Sequence, residues 1–377
     1  MLRIGCSLQK FKADVTIITT DNRGSWFSKI AEAGLKSDHI SGVDRTVPYL
    51  HARKVGKFLK KSQFDVIFTV FERYSQASIG MLPDTTIVIP LLRNDHPDIY
   101  SIGLSNHEGW NVAVGNSRRN CEMASKLSNG RPILLIPNGC PSSGKQYSAA
   151  TDRATSLALL FVGRMVHESK GIFLLPDIIN RCVEKGIKCS LTLVGDGPDL
   201  TGLLDLFDRY DLSELVTSYG MLSSDKVLER MAEADVLLFP SYYEGLPNVL
   251  IESIMQGCVP ISNRLPGITD FIIKDNETGF LVEDNNLAQF TDRLNRLQND
   301  RTLLHRMASI GSKDVEVRFS IETEANSYFK LLEDCFEGQY PLVRSRKHLE
   351  SINTHLVPLK LLTDRVKSFI KKIRNQV

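Results

Sequence analysis

Short apolar runs alternate with amphipathic stretches along the front half of the chain. The apolar runs predict buried strands at Val15–Thr20, Asp65–Val70, Thr86–Pro90, Val112–Val114 and Pro132–Pro137. The amphipathic stretches predict helices at Leu2–Lys12, Ser25–Ala33, His51–Lys61 and Arg118–Lys126. Apolar strands that alternate with helices are typical of a parallel sheet covered on both faces.

The same alternation starts again in the second half. It predicts strands at Leu157–Gly163, Lys188–Gly195, Leu215–Tyr219, Val236–Pro240, Cys258–Ser262 and Gly279–Val282. Helices are predicted between them at Gly171–Glu184, Ser223–Ala232, Asn248–Gln256 and Leu287–Asn299. The fold class is therefore α/β, with two tandem Rossmann-like doubly wound domains. Such sheets bind ligands at the carboxyl ends of their strands, which predicts a cleft between the domains.

The segment Cys140–Ser156 is rich in Ser, Pro, Gly and Thr, and it predicts a linker or a surface excursion. We therefore predict an N-terminal domain at 1–150, a second domain at 151–335 and a basic helical tail at 336–377. A length of 377 residues also favours more than one domain.

The composition is that of a globular protein, with 42% hydrophobic and 24% charged residues. No apolar run reaches the roughly 18 residues of a membrane-spanning helix, and the first residues lack a secretory cleavage pattern. The 7 cysteines never occur in CxxC spacing, which disfavours a structural zinc site or a disulfide framework. These features predict a cytoplasmic protein.

Charge is distributed unevenly along the chain. Residues 1–150 carry a net charge of +7, residues 151–340 carry −12 and residues 341–377 carry +7. The basic parts predict either an anionic partner or solvated faces that differ only in composition.

The segment Ser241–Gly257 is the most informative part of the sequence. A strand runs into a turn with Glu244, Pro247 then opens a helix, and Gly257 ends it. Free N–H groups at the start of that helix predict a cradle for phosphate, formed by Asn248, Val249 and Leu250. Glu252 lies inside the helix. Two carboxylates beside an anion site are costly unless they bind hydroxyl groups, although a capping carboxylate and a surface glutamate would give the same pattern.

The spacing of Glu244 and Glu252, in the form EGLPxxxxE, resembles the EX7E signature of family-4 retaining glycosyltransferases of the GT-B fold. The resemblance covers most of residues 151–335. Further motifs stand in that family's order, namely Leu160–Arg164, Lys170–Gly171, Leu193–Pro198, Tyr219–Gly220, Ala234–Pro240 and Gly267–Asp270. Residues 1–150 would then be the acceptor-side domain.

The resemblance assigns donor-binding roles by position. It implies that Arg164 and Lys170 grip the pyrophosphate and neutralise the charge of the leaving nucleoside diphosphate. Glu252 would bind the ribose, and the base would meet the main chain near Met221. Glu244, the first catalytic candidate, would contact the donor sugar beside its anomeric carbon. The remaining sugar and phosphate contacts would come from the backbone of Gly245, Leu246, Asn248 and Val249.

Retaining enzymes of this family resemble front-face displacement catalysts, which need no protein nucleophile. No DxD pair suited to a divalent metal is evident, so we expect a metal-independent enzyme with no metal site. Gly195-Asp196-Gly197 is similar to half of a dinucleotide fingerprint, but Leu200 occupies the third glycine position. A nicotinamide enzyme is therefore disfavoured.

The family usually places a histidine after a strand of the front domain, near the acceptor. Here Leu91–Tyr100 offers two candidates, Arg93 by spacing and His96 by chemistry. Asp95 would orient His96. Alternatively, the segment is a turn in which Asn94 and Asp95 cap the helix from Pro97 onward.

One departure from the family concerns the start of the chain. Leu2–Lys12 already predicts the first helix, so the first strand and its glycine-rich loop are missing from the pattern. We interpret the N-terminal domain as truncated at its start or built without these elements, which puts activity in doubt.

The tail predicts an amphipathic helix over 355–377. Its apolar face contains Leu359, Leu362, Val366, Phe369, Ile370 and Ile373, and most of its basic residues lie elsewhere. Such a helix either lies on an anionic membrane surface, at the inner face, or packs on the protein.

The resemblance thus implies a hexosyltransferase that moves a sugar from a UDP- or GDP-sugar to a saccharide or lipid-linked acceptor, in polysaccharide or glycolipid synthesis. No tightly bound cofactor and no nucleic-acid partner are expected. Two alternatives stay open: a catalytically silent sugar-nucleotide-binding or scaffold protein, and a nucleotide-sugar epimerase on the same fold.

Overall fold

The computed structural model describes residues 1–21, 27–41, 48–70, 73–141, 156–283, 285–341, 343, 345, 346 and 349. The described chain divides into two compact units. Unit 1 contains Met1–Asn116, Asn120–Ile136 and the described residues from Glu324 onward. Unit 2 contains Ser117–Arg119 and Pro137–Thr323. Most of the predicted linker and all of the predicted tail helix lie outside the described residues.

The units change at Ile136/Pro137 and at Thr323/Glu324, whereas the sequence predicted boundaries at 150/151 and 335/336. Packing explains both positions. The backbone N–H of Cys140 donates to the carbonyl of Phe319 at 2.8 Å, inside unit 2. The helix that follows buries side chains in a unit 1 core instead, namely Tyr328, Leu331 and Cys335.

Unit 1 contains the strands β1 Thr16–Asp21, β2 Lys36–Ser41, β3 Val66–Val70, β4 Ile87–Leu92, β5 Ala113–Gly115 and β6 Ile133–Leu135. The helices of this part of the chain are α1 Leu2–Lys10, α2 Phe27–Glu32, α3 Pro48–Ser62, α4 Arg73–Ala77, α5 Pro97–Gly103 and α6 Arg118–Leu127. In the described residues β1 and β2 form one parallel pair, and β3, β4, β5 and β6 form a parallel sheet in that order.

Strand β4 shows why the sheet of unit 1 is covered on both faces. All six of its residues are buried. Ile87, Ile89 and Leu91 belong to one apolar cluster, whereas Val88 and Leu92 belong to another. Because successive side chains of a strand point to opposite faces, the two clusters lie on opposite sides of the sheet. The predicted parallel, doubly covered sheet is confirmed.

Unit 2 contains the strands β7 Leu157–Val162, β8 Cys189–Val194, β9 Val216–Ser218, β10 Val236–Phe239, β11 Val259–Asn263 and β12 Phe280–Val282. Its helices are α7 His167–Lys170, α8 Leu174–Glu184, α9 Leu200–Arg209, α10 Ser224–Glu233, α11 Asn248–Met255, α12 Thr269–Ile272, α13 Leu287–Asn299 and α14 Arg301–Phe319. Helix α15, Ile321–Phe336, starts here and continues in unit 1.

The six strands described in unit 2 are all parallel, in the order β9-β8-β7-β10-β11-β12. The strand order reverses between β7 and β10. In a doubly wound sheet the loops that follow two such strands diverge to opposite faces and leave a crevice at their carboxyl ends. The fold therefore predicts a ligand-binding site at the loops after β7 and β10.

The chain beyond α15 is anchored to unit 1 by Arg346. This side chain is only 1% exposed. Its guanidinium donates to the carbonyls of Gly109 and Thr86 at 2.8–3.1 Å, and also to the carbonyl of Pro83. Burial lowers the pKa of Arg346 to about 10. A buried cation is tolerated here because several carbonyl oxygens surround it. Among the helices that the structure describes, none has both the length and the apolar character needed to cross a bilayer.

Candidate functional site

The carboxyl ends of β7, β8, β9 and β10 carry loops that contain most of the predicted site residues. Two glycines let the loops after β7 and β8 pack backbone against backbone. Gly195 has a φ of +131°, and a Cβ there would overlap the carbonyl oxygen of Gly163. A Cβ on Gly197 would likewise overlap the backbone of Met165. The glycines that were similar to half of a dinucleotide fingerprint therefore serve loop packing.

A third glycine joins the loop after β7 to the end of β10. Gly171 has a φ of +62°, and a Cβ there would overlap the carbonyl oxygen of Pro240. In the same contact the backbone N–H of Tyr242 donates to the carbonyl of Ser169 at 3.0 Å. Because a side chain cannot fit between these backbones, the end of α7 lies directly on the loop that leaves β10.

This contact brings two predicted site residues together. Lys170 Nζ lies 2.5 Å from Glu244 Oε1, and the side chains are 24% and 11% exposed. A carboxylate that is largely removed from water is costly unless a cation or hydrogen-bond donors compensate it. Lys170 provides that compensation. The lysine predicted to grip the pyrophosphate is thus the ion-pair partner of the glutamate predicted to contact the sugar.

Helix α11 begins next to this pair. Pro247 is its N-cap and no side chain caps it. In the described structure the backbone N–H groups of Asn248 and Val249 have no hydrogen-bond partner. The expectation of a third free N–H at Leu250 was wrong, because this group donates to the carbonyl of Pro247 at 3.0 Å and closes a tight first turn. Two unpaired donors at a helix N-terminus still provide a favourable position for an anion.

The other donor-side candidates lie on α11, on the turn before it and on the loops after β7 and β9. Gly245 and the buried Leu246 form the turn between Glu244 and α11, and Glu252 is half-buried within α11. Arg164 is exposed on the loop after β7, and no ion pair is found for it in the described part of the chain. Met221 is 76% exposed after β9. All of these candidates belong to unit 2.

Aromatic side chains that the sequence analysis did not identify pack beside the ion pair. The His167 ring stacks on Phe173, with centroids 4.4 Å apart, and meets Tyr242 edge-on. Burial raises the pKa of the Tyr242 phenol. Only the position of His167, just before Lys170, signalled this cluster in the sequence.

His96 and Arg93 lie in unit 1, after β4. His96 is the N-cap of α5, where its Nδ1 accepts a hydrogen bond from the backbone N–H of Asp98 at 3.2 Å. Asp95 accepts a hydrogen bond from the hydroxyl of Tyr100 at 2.6 Å. The helix is therefore capped, but the prediction that Asn94 and Asp95 cap it was wrong, because His96 occupies the N-cap position and the Asp95 carboxylate is bound by Tyr100. Its ring remains half exposed.

Arg93 forms an ion pair with a buried residue of the same unit. Its Nη2 lies 3.5 Å from Glu324 Oε1, and the Glu324 side chain is nearly inaccessible to solvent. Because Arg93 compensates a buried carboxylate, it has a structural role whether or not it also acts in catalysis. Of the two front-domain candidates, His96 is the one with an accessible functional group.

Two asparagines at the site were missed. Asn138 Nδ2 donates to Asn248 Oδ1 at 2.9 Å, and Asn263 Nδ2 donates to the carbonyl of Pro240 at 2.9 Å. Neither residue belongs to a motif that pointed to the site in the sequence. Within the described residues no group of three or more His, Cys, Asp or Glu side chains is arranged to hold a metal ion.

Comparison with known proteins identifies relatives of this chain. Residues 147–314 match the family model of glycosyl transferases group 1. The lipopolysaccharide core biosynthesis glycosyltransferase LpsE of Rhizobium meliloti is 28% identical over 239 residues, which cover 62% of this chain and 67% of that protein. The phosphatidylinositol N-acetylglucosaminyltransferase gpi3 subunit of Schizosaccharomyces pombe is 25% identical over 178 residues, or 47% of this chain and 39% of that protein. The match thus spans about two thirds of the first relative and two fifths of the second.

Solved structures agree with the fold. The Anabaena protein Alr3699/HepE, crystallised with UDP and glucose, has a TM-score of 0.72 at 15% identity and covers 88% of this chain and 95% of its own. A glycosyltransferase from Rickettsia africae has a TM-score of 0.74 at 14% identity, covering 89% and 94%. The two Rossmann-like units of this chain therefore have the GT-B fold.

Proposed function

Because this chain belongs, through residues 147–314, to the glycosyl transferases group 1 family, we propose that it is a retaining glycosyltransferase that uses a nucleoside diphosphate sugar. The acceptor is a saccharide or a lipid-linked saccharide. The observation that carries the proposal is the ion pair between Lys170 and the largely buried Glu244, beside the free N–H groups of α11 and at the point where the strand order reverses.

The position of the diphosphate follows from charge. Asn248 and Val249 offer two unpaired backbone donors at the positive end of a helix dipole. Lys170, the last residue of α7, and Arg164, on the loop after β7, add two cations. As the bond to the sugar breaks, negative charge grows on the leaving diphosphate, and fixed cations and N–H groups stabilise that charge most strongly in the transition state.

The ion pair with Lys170 keeps the negative charge of Glu244 compensated while the carboxylate binds the sugar. Lys170 neutralises one side of the carboxylate, and the second oxygen remains able to accept a hydrogen bond from a sugar hydroxyl. Glu252 lies about one turn into α11 and would bind the two ribose hydroxyls. Met221, exposed after β9, would lie against the base.

In this proposal the acceptor attacks from the side of the leaving group, so the sugar keeps its anomeric configuration. No protein nucleophile is required. The diphosphate is stabilised by Lys170, Arg164 and backbone N–H groups, and catalysis proceeds without a divalent metal. His96, the accessible candidate of unit 1, is proposed as the catalytic residue of the acceptor-side domain. The proposed relationship to family 4 rests on the spacing of Glu244 and Glu252.

The donor is proposed to be a UDP- or GDP-sugar. UDP is bound by the related Anabaena structure, and relatives are named for the synthesis of lipopolysaccharide core and of a phosphatidylinositol glycolipid. These names support a product in cell-surface polysaccharide or glycolipid synthesis, made at the cytoplasmic side.

Binding of a donor tests the proposal directly. In a panel of UDP, GDP, ADP and their sugars, one base is expected to raise the melting temperature well above the others. A diphosphate present at about 100 times its Kd adds about 2.7 kcal/mol to the free energy of unfolding. The measurement is differential scanning fluorimetry with and without EDTA, followed by NMR of the product formed with that donor. An EDTA-sensitive shift would contradict metal independence, an inverted anomeric centre would contradict retention, and no shift by any member would contradict a nucleotide-sugar donor.

The tail supports a second prediction, that the protein binds anionic membranes through residues 355–377. Deleting these residues is expected to lower binding to vesicles containing phosphatidylglycerol, and the difference should be larger at low salt because exposed charges are screened beyond about 10 Å at 0.1 M. Co-sedimentation with vesicles measures this effect. Neutral phosphatidylcholine vesicles are the control, and unchanged partitioning of the shortened chain would show that the tail is not the membrane contact.

A further inference from the structure

The segment of residues 240–248, called here the Glu244 loop, has its two ends held by asparagine side chains from other parts of unit 2. We propose that Asn263 and Asn138 are positioning residues that fix this loop, and with it Glu244, for sugar transfer. The inference deepens the proposed function and rests on it.

Asn263 holds the beginning of the loop. It is the last residue of β11 and only 4% exposed. Its Nδ2 donates to the carbonyl of Pro240 at 2.9 Å and to that of Ser241 at 3.3 Å. Strand β10 ends at Phe239, which pairs with Ser262, so the sheet no longer binds the carbonyls that follow. The Asn263 side chain donates to these carbonyls in place of a neighbouring strand.

The backbone of Asn263 is itself fixed. Its carbonyl accepts hydrogen bonds from the hydroxyls of Thr269 and Ser262, each at 2.8 Å. The carboxamide also donates to the side chain of Asn285. A donor held from several directions loses little entropy when it binds a loop, so Asn263 is suited to define one position of Pro240 and Ser241.

Asn138 holds the end of the loop. Its Nδ2 donates to Asn248 Oδ1 at 2.9 Å, at the first residue of α11. Two residues later, the completely buried Cys140 is bonded through its backbone N–H to the carbonyl of Phe319 at 2.8 Å. Asn138 is therefore attached to a rigid segment that runs beside the end of α14.

Glu244 lies halfway between these two attachments. Inside the loop, the N–H of Tyr242 donates to the carbonyl of Ser169 at 3.0 Å. With both ends and one internal position fixed, the carboxylate of Glu244 has a defined place beside Lys170. An aspartate could not replace either asparagine, because a carboxylate has no N–H to donate to a carbonyl or to a carboxamide oxygen.

Hydrogen exchange and steady-state kinetics of the full chain test the proposal, with Asn138→Ala and Asn263→Asp as the variants. We expect amide exchange in peptides of the Glu244 loop to become about tenfold faster, while the rest of unit 2 keeps its protection. We expect kcat with the donor to fall about 10- to 100-fold, because misplacing a contacting group by about 1 Å has an effect of this size. The Kd of UDP or GDP, whichever binds, should change less than about threefold.

Asn299→Ala is the matched control. Asn299 Nδ2 donates to Asn295 Oδ1 at the same 2.9 Å, but on the exposed side of α13. This variant should leave exchange in the loop and kcat unchanged. The double variant Asn138→Ala/Asn248→Ala tests the bond between the two side chains. Its loss of kcat, as a free energy, should be smaller than the sum of the losses in the two single variants, because each single change already breaks this bond.

The outcomes separate this proposal from the proposed function. Unchanged exchange in the loop of Asn138→Ala overturns the positioning role, even if Asn263→Asp fails to fold. Equal losses of kcat and diphosphate affinity, with faster exchange across unit 2, also overturn it, because they indicate a purely structural role. If the unaltered chain binds no diphosphate and transfers no sugar, the proposed function fails, whereas faster loop exchange in both variants would still support the clamping of the loop.

Discussion

Replacing Glu244 with glutamine is expected to lower sugar transfer about 10²- to 10³-fold, the range observed for the loss of one preorganised electrostatic contact. The neutral amide keeps the size of the side chain and can still accept a hydrogen bond from Lys170, which lies 2.5 Å from the carboxylate. It removes the negative charge that we propose to lie beside the anomeric carbon. The proposed diphosphate contacts from α11 and Arg164 are untouched, so the Kd of the nucleoside diphosphate should change by less than about threefold.

Initial rates with the donor identified in the panel, and calorimetric titration of its diphosphate, measure the two quantities. Glu283→Gln is the control, since Glu283 forms an ion pair with Arg264 but is more than half exposed. Its loss should affect neither transfer nor binding, because exposed ion pairs contribute about 0–1 kcal/mol. Equal losses of transfer and diphosphate affinity in Glu244→Gln would refute the sugar contact.

Gly195→Ala is expected to destabilise unit 2 by about 2–4 kcal/mol, which combines a strained backbone with a steric overlap. The φ of +131° is open to glycine but not to alanine, and the added methyl group would overlap the carbonyl of Gly163. Relief requires the loops after β7 and β8 to separate, which would also displace Arg164. Urea unfolding, followed by hydrogen exchange of peptides from β7 and β8, measures the loss.

Gly186→Ala separates the two causes. Gly186 also has a positive φ, +70°, but no atom lies within 4 Å of the added methyl group. This variant should lose only about 1 kcal/mol, the usual cost of alanine in place of glycine in the left-handed region. Similar losses in both variants would mean that the contact with Gly163 is not tight.

Most of the fold could be predicted because each buried strand corresponds to a short apolar run in the sequence. The run at Leu157–Val162 is buried nearly throughout and matches its prediction within one residue. Strand β2, Lys36–Ser41, was missed because it is largely exposed and only Ile40 is buried. A strand of this kind has neither an apolar run nor a clean alternation of apolar residues, so local pattern cannot reveal it.

The candidate site could be predicted in part. Glu244 and the start of α11 follow from a turn, a proline and a helix that are contiguous in the sequence. The pairing of Lys170 with Glu244 depends on Gly171 and Pro240, which are distant in sequence and meet only because β7 and β10 are neighbours. Asn263 contributes through a side chain at the end of another strand. Contacts of this kind are set by strand order, which sequence periodicity does not encode.

The buried guanidinium of Arg346 determines where the protein can be shortened. A polypeptide that stops after Leu349 keeps this group on the carbonyls of Pro83, Thr86 and Gly109. One that stops at Phe336 removes the Arg346 donor from the buried carbonyls of Thr86 and Gly109, and each such loss costs about 1–3 kcal/mol. Vesicle experiments should therefore use cuts beyond Leu349, since a cut nearer to α15 would unfold part of unit 1 and imitate a loss of lipid affinity.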